Sequence, residues 1–451
     1  MTSSIFGTDG IRGRAGEGWL TPEGAHAVGL AAGRILGASG AEALLAHDGR
    51  ASATWLIEGL ASGLRAAGLE PRCAGLLPTP GLAWLTRSSD AALGLMVSAS
   101  HNPAHDNGIK VFGRDGDKPD DALQARIEEL LTGACAPGPA PSGGVPAEDP
   151  SLRSAYLGHL RSFGSGLGAA LAADMEVLVD CAHGAGSSVA PLLWEALGVR
   201  ARCLHAAPDG TNINAGCGST HPESLQAAVR TEAAGLGIAL DGDGDRCILV
   251  DERGELVDGD GILTVLGRSM AEAGEIPGSA VAATVMSNRA LHIALAEREV
   301  RVVETAVGDR AVVEALKEHG LLLGGEQSGH VILGERNGYI GDGLVTALAV
   351  LQVMARTGAP LSDLAAPYQR LPQVLLNVPV ASKPPFEELP LVQDEVRAAE
   401  EALGARGRVL LRYSGTEPLA RVMVEGPDLD QIGQLAERVA GRLRERIGAQ
   451  A

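Results

Sequence analysis

The chain has 451 residues, 45% hydrophobic and 21% charged, and carries a formal net charge of −19. This composition excludes a disordered chain and leaves room for about two to four domains, each with its own core. The negative charge argues against nonspecific nucleic-acid or anionic-membrane binding, so an anionic substrate must be held by a local cluster of Arg and Lys.

The start, Met1-Thr2-Ser3-Ser4-Ile5-Phe6-Gly7, lacks the charged and apolar regions of a signal peptide. No apolar run approaches the ~18 residues of a membrane span. The six cysteines form no Cys-x-x-Cys unit, and free thiols in a reducing cytoplasm are expected. Aromatic residues make up only 3%, so polar side chains must do most of the recognition. Thr21-Pro22 predicts a helix with an N-cap and a first-turn proline, running to about Leu36. Strands are predicted at Ala41–Ala46, Leu93–Val97 and Met175–Val179, and a helix at Ala190–Leu197. Gly133–Pro150 is dense in Pro, Gly and Ala and reads as a linker. Further boundaries are expected near Asp251–Gly254 and near Tyr368–Pro372. Beyond the last, strands at Gln373–Val380, Arg408–Arg412 and Arg421–Glu425 precede one long helix, about Leu429 to Ile447.

The expected fold is therefore α/β, with three consecutive α/β domains on mixed sheets plus a smaller α+β C-terminal domain around a central cleft. The expected spans are 1–150, 151–254, 255–370 and 371–451.

The densest chemistry is in Asp241-Gly242-Asp243-Gly244-Asp245-Arg246. Three carboxylates at alternate positions repel one another, and a hard divalent cation is the natural compensation. Arg246 adds a bidentate partner for phosphate. A Ca²⁺ loop would place ligands at Asp241, Asp243 and Asp245, with Glu252 at its last position. But Arg246 stands where that loop needs Gly, and both flanks, Leu236–Leu240 and Cys247–Val250, read as strands. A solvated acidic turn between two strands is the plainer alternative.

Ser98-Ala99-Ser100-His101-Asn102-Pro103 follows the Leu93–Val97 strand directly. Loops at that end of a strand are where α/β sheets place ligands. Ser100 is a candidate nucleophile, and Lys110 returns beside it on the next strand. No Gly-x-Ser-x-Gly elbow is present, and an ordinary polar turn would look similar. Dinucleotide binding at Gly184-Ala185-Gly186 is disfavoured, because the glycine spacing is incomplete.

The serine loop and the acidic loop together resemble the α-D-phosphohexomutase superfamily. The resemblance spans about Ile5 to Gly426, with motifs in family order. It implies that Ser100 carries a phosphoryl group. It also implies one Mg²⁺ held by Asp241, Asp243, Asp245 and that phosphoserine. Phe6-Gly7-Thr8-Asp9-Gly10-Ile11-Arg12-Gly13 resembles the N-terminal loop, placing Arg12 near the transferring phosphate. Gly324-Gly325-Glu326-Gln327-Ser328-Gly329-His330 resembles the sugar-selecting loop, with Glu326 and Ser328 on ring hydroxyls. Arg412-Tyr413-Ser414-Gly415-Thr416-Glu417-Pro418, with Arg421, resembles the phosphate-docking loop. Each of these three could alone be a plain turn. Arg246 is the implied charge stabiliser, Lys110 the first and His330 the second candidate for proton transfer, and His101 orients the loop or contacts phosphate.

Three departures are visible. His47-Asp48-Gly49-Arg50-Ala51-Ser52-Ala53 lacks the usual Thr and later Gly, Tyr413 stands where Lys is frequent, and no Thr precedes Gly341-Asp342-Gly343. Thr211–Asn214, Cys217–Glu223 and Val285–Asn288 are most like the bacterial branch acting on glucosamine phosphates. The implied reaction interconverts glucosamine 6-phosphate and glucosamine 1-phosphate, feeding UDP-N-acetylglucosamine and cell-wall synthesis. Glucosamine 1,6-bisphosphate or glucose 1,6-bisphosphate is the implied priming intermediate. A mannose- or glucose-specific mutase and a non-catalytic phosphosugar binder are the alternatives. The expected setting is cytoplasmic, with a phosphosugar partner, no nucleic acid or membrane, and a homodimer as an option.

Overall fold

Thr21 accepts a hydrogen bond from Gly24 N at 3.0 Å and Pro22 occupies the first turn, so the helix Pro22–Leu36 starts where the sequence predicts. The computed structural model describes residues 5–7, 9–133, 135, 143–172, 175–414 and 417–449. Its first helix packs on the helix Ala53–Ala66 through small residues, Ala and Gly among them. A Cβ on Gly63 would lie 2.1 Å from His26 O, so the two backbones touch directly.

These helices cover a five-stranded mixed sheet made of β1 (Ile11–Arg14), β2 (Glu42–His47), β3 (Glu70–Leu76), β4 (Leu93–Val97) and β5 (Asp106–Gly113). The order is β1-β5-β4-β2-β3. Strand β2 runs parallel to β3 and β4, while β5 is antiparallel to β4 and β1. Part of the Pro/Gly-rich stretch is tied down: Glu148 bridges Cys73 on β3, and Asp149 N donates to Cys73 O at 2.7 Å. The helix Pro150–Phe163 then leads to the second sheet.

That sheet contains β6 (Val177–Asp180), β7 (Ala201–Leu204), β8 (Leu236–Leu240), β9 (Cys247–Val250) and β10 (Leu256–Val257), in the order β10-β9-β8-β6-β7. Strand β6 extends to Asp180, beyond the predicted Val179, because Asp180 pairs with Leu204 and Ala239. A third sheet has the order β12-β11-β13-β14, from β11 (Ala280–Thr284), β12 (Arg301–Thr305), β13 (Gly324–Gly325) and β14 (Val331–Ile332).

Two compact units result: Met1–Met286 with Val302–Ala365, and Ser287–Arg301 with Ala366–Ala451. The second is a three-stranded antiparallel sheet, β15 (Gln373–Pro379), β16 (Arg408–Tyr413) and β17 (Leu419–Glu425), in the order β15-β17-β16. Its core packs Val392, Ala399, Val422, Val424, Leu435 and Val439 between sheet and helices. The helix Arg289–Ala296 belongs to this unit. Asn288 caps it and also exchanges hydrogen bonds with Leu371, and Arg289 N donates to Glu425 at 3.0 Å. Among the described residues no helix is long and apolar enough to cross a membrane. The fold is three consecutive α/β domains followed by a smaller α+β domain.

Candidate active site

Strand β4 is buried along its whole length and ends at Val97, where the serine loop begins. Ser100 sits in that loop with φ +52°, a left-handed conformation that costs a non-glycine residue about 1–2 kcal/mol. A buried frame holds it there. Ser98 Oγ accepts from Ser100 N at 2.8 Å and donates to Asp48 Oδ2 at 2.7 Å. Arg50, fully buried, pairs with Asp48 at 2.9 Å. Its guanidinium donates to the carbonyls of Ser100 (3.0 Å), Asn102 (2.8 Å) and Asp106 (2.9 Å), and also to that of Pro103. From the second domain, Asn214 Nδ2 donates to Ser100 O at 2.9 Å and Asn102 O at 3.1 Å. The Asp48–Arg50 segment thus keeps a central role despite its missing Thr and Gly.

Ser100 Oγ donates to Asp241 Oδ2 at 2.5 Å, which joins the two loops on which the sequence argument rests. Asp241, Asp243 and Asp245 are buried, and each brings one carboxylate oxygen into a group spanning no more than 4.8 Å. Asp243 Oδ1 and Asp245 Oδ1 have no hydrogen-bond partner. An all-oxygen, triply anionic set with orphaned oxygens fits Mg²⁺. Burial and the charges of Asp245 and Asp243 push the Asp241 carboxyl well above its usual range, as expected where like charges crowd.

Lys110, on β5 and fully buried, reaches Asp243 at 2.8 Å, Asp9 at 3.0 Å and Asp245 at 3.3 Å. A lysine that moves protons near neutral pH would need its pKa lowered. Burial alone would do that, but Asp243, Asp9 and Asp245 outweigh it and hold the ammonium well above the ordinary lysine value. His330 is also held cationic. Burial lowers it, yet Asp245 and Asp309, at 3.7 and 3.8 Å, raise it to about 9. His101 is the opposite case. Burial, Arg246 and Arg12 lower it to about 4, so a neutral imidazole stands with Nδ1 3.4 Å from Ser100 Oγ.

A cavity of about 390 Å³ opens in front of these groups, lined by Asp9, Arg12, Asp245, Arg246, Glu326 and His330 among others. Arg12 Nε and Arg246 Nε are buried without a hydrogen-bond partner, so two guanidinium donors stand unused at a site suited to an anion. Glu326 lies in the tight turn closed by Glu326 N to His330 O at 3.0 Å, and Ser328 is exposed on the same turn. Sequence reasoning missed Lys118 and Asp309, which form an ion pair at 2.5 Å, and Asp9, which accepts from Arg12, Lys110 and Lys118. Asp9 lies inside the N-terminal motif and could have been singled out. Lys118 and Asp309 lie in no motif.

In the second unit, Arg412 and Arg421 face each other directly across β16 and β17. Like charges opposite one another destabilise a sheet unless an anion lies between them; Glu417 reaches Arg421 at 3.5 Å, and Arg421 Nε is buried and unpartnered. Ser414 is buried, and its carbonyl accepts from Lys383 at 2.5 Å, a cation that no motif suggested. Gly415 and Thr416 lie outside the described residues. Tyr413 stacks on Phe386 at 4.2 Å and donates to Pro384 O at 2.7 Å, so it serves packing.

The comparisons with known proteins agree with this geometry. The domain patterns of phosphoglucomutase/phosphomannomutase match in order: alpha/beta/alpha domain I at residues 3–135, domain II at 154–254, domain III at 258–371 and the C-terminal domain at 375–442. The chain belongs to the phosphoglucomutase/phosphomannomutase family, and it is an enzyme of the mutase type, an isomerase. More particularly, it is 48% identical over 446 residues to the phosphoglucosamine mutase of Mycolicibacterium gilvum, covering 97% of this chain and 98% of that one. Its fold matches a phosphoglucomutase/phosphomannomutase family protein from Burkholderia thailandensis, at TM-score 0.81 and 24% identity over the whole of both chains. It also matches Aspergillus fumigatus N-acetylphosphoglucosamine mutase, solved with GlcNAc-6P and magnesium, at TM-score 0.65 and 20% identity over 98% of this chain and 95% of that one.

Proposed function

We propose that this enzyme interconverts glucosamine 6-phosphate and glucosamine 1-phosphate in the cytoplasm through phospho-Ser100 and a 1,6-bisphosphate. The observation that carries the chemistry is the 2.5 Å contact of Ser100 Oγ with Asp241, beside carboxylate oxygens that lack partners. The choice of amino sugar is supported by the similarity to a phosphoglucosamine mutase along nearly the whole chain.

A serine hydroxyl is a weak nucleophile, and storing the phosphoryl group on it beforehand reduces the task to positioning and charge neutralisation. Asp241, Asp243, Asp245 and the Ser100 phosphate would hold Mg²⁺, which when bound neutralises charge at the transferring group. In the first half-reaction the sugar O1 attacks the phosphorus of phospho-Ser100. The O1–P bond forms, the P–Oγ bond breaks, O1 gives up its proton and Oγ gains one. The bisphosphate then presents its other end. Oγ attacks the 6-phosphoryl group, the Oγ–P bond forms, the P–O6 bond breaks, and O6 takes the proton that Oγ loses. Lys110, held protonated, is placed to give its proton to Oγ as the P–Oγ bond breaks, and the neutral amine left behind then takes the proton that O1 loses. His330 is the second proton carrier. Arg12 and Arg246 bind the transferring phosphate, Glu326 and Ser328 bond ring hydroxyls, and Arg412, Ser414, Gly415, Thr416 and Arg421 hold the phosphate that is not reacting. Glucosamine 1,6-bisphosphate or glucose 1,6-bisphosphate would prime a serine that has lost its phosphate.

Two measurements test this. Incubation with a sugar bisphosphate should add about 80 Da, one HPO₃, to the wild type and nothing to Ser100→Ala, which should be almost inactive. The kcat/KM for glucosamine 6-phosphate should exceed those for glucose and mannose 6-phosphates. Substantial turnover by Ser100→Ala would remove the phosphoserine mechanism, and a preference for mannose would move the enzyme to the phosphomannomutase reading.

A further inference from the structure

A second cluster of ligating side chains lies in the second domain, outside the phosphoryl-transfer machinery. Asp180 ends β6, His205 follows β7, and Cys217 lies in the loop before β8. One donor atom from each lies within 4.8 Å of the other two. Asp180 and Cys217 are fully buried, and the His205 side chain is 30% exposed.

The Asp180 carboxylate is aimed by two backbone donors, Ala182 N to Oδ1 at 2.8 Å and Gly218 N to Oδ2 at 2.9 Å. His205 Nδ1 stands 3.0 Å from Asp180 Oδ2, buried at the atom, yet it makes no hydrogen bond. The contact has ion-pair distance but not hydrogen-bond geometry, and two polar atoms converging this way are placed as ligands of a common third atom would be. On one tetrahedral zinc, nitrogen, oxygen and sulfur ligands sit roughly 3.4–3.6 Å apart, so donor atoms within 4.8 Å of one another need to adjust by no more than about 1.4 Å. The donor set is also distinctive. Mixed oxygen, nitrogen and thiolate ligands suit Zn²⁺ and its neighbours in the first transition row, whereas Mg²⁺ takes oxygen alone.

We propose that Asp180, His205 and Cys217 bind a zinc-type transition-metal ion, at a site separate from the aspartate triplet. Three protein ligands leave the fourth position to water, on the side where His205 meets solvent. The ion would fasten the Cys217 loop to the end of the second sheet. The same loop carries Asn214, whose side chain holds the carbonyl of Ser100. The metal therefore acts on the serine loop as a positioning device.

The test uses the full-length protein, stripped of metal by a chelator, kept reduced and titrated with Co²⁺ in excess Mg²⁺. Wild type should take up one equivalent with a thiolate-to-cobalt charge-transfer band, displaced by one equivalent of Zn²⁺. Cys217→Ser should lose the band. His205→Asn, which tolerates the left-handed φ of +46° at this position, should bind roughly tenfold more weakly or worse, since one of three ligands is gone. Asp243→Asn should keep the band unchanged. No charge-transfer band in wild type would overturn the proposal. So would a band that survives Cys217→Ser, because it would belong to another of the six cysteines. Cobalt uptake without a charge-transfer band, lost in Asp243→Asn, would assign the ion to the all-oxygen triplet instead. If Cys217→Ser does not fold, His205→Asn decides alone, and unchanged cobalt affinity in it sinks the site.

Discussion

Arg50 should be the residue whose loss most damages the serine loop without touching substrate. Its side chain is fully buried against an equally buried Asp48, and it donates to four loop carbonyls from Ser100 to Asp106. Arg50→Ala leaves the Asp48 charge buried without its ion partner, a change that costs about 3–5 kcal/mol. At about 1.4 kcal/mol per decade, amide protection across residues 98–108 should fall roughly 10²- to 10³-fold or more, measured by hydrogen–deuterium exchange. Arg50→Lys is the sharper test. It keeps the charge, but a single ammonium cannot reproduce the planar fork that spans the carbonyls. Ser100 would then relax from its left-handed geometry. A misplacement of about 1 Å lowers kcat by about 10²-fold, while KM should change little, because Arg12 and Arg421 are untouched. The assay is steady-state turnover of glucosamine 6-phosphate, alongside exchange on the same protein. Arg50→Lys with wild-type kcat and a protected loop would refute the reasoning.

Other perturbations give separate readouts. Arg421→Gln should raise KM for glucosamine 6-phosphate about tenfold or more, the worth of one charge-assisted phosphate contact, and a change confined to kcat would count against a docking role. Glu326→Gln should lower kcat/KM about 10- to 100-fold through a weakened bond to a ring hydroxyl, and an unchanged value would place the sugar elsewhere. Asp342 reports on pH. It caps the helix Gly343–Thr357 and accepts from Tyr156 Oη at 2.7 Å, and burial raises its carboxyl to about 6. Between about pH 4 and 6 the folded state holds a proton that the unfolded state has released. Its contribution to stability therefore falls as pH rises through that window, by up to about 1.4 kcal/mol per unit, and is level above it. Asp342→Asn keeps a capping oxygen and removes the titration. Melting temperature against pH for variant and wild type should diverge across the window, and parallel curves would be the contrary result.

The parts of the active site that could be read from the chain are those carried by contiguous segments. Ser98–Pro103 and Asp241–Arg246 are each one loop after one strand; the acidic loop's residue types pointed to metal and phosphate, while the serine loop's offered a nucleophile that the family resemblance made a phosphoserine. The helix Leu429–Ile447 and the strands flanking the acidic loop appear where hydrophobic pattern and turn residues put them. The Lys110 ammonium shows where such reasoning stops. Its place on the strand beside Ser100 was legible, but the charge balance was not, because Asp9 reaches it from about a hundred positions away in the chain and Asp243 and Asp245 from another domain.

Local residue order thus specified which chemical groups are present and on which turns they stand, since strand ends and caps obey short-range rules. Folding alone decided which of them meet. Asn214 reaches the carbonyl of Ser100 across 114 positions of chain, and Lys118 pairs with Asp309 across 191. Such partnerships depend on how whole sheets come together, and no short-range pattern encodes that.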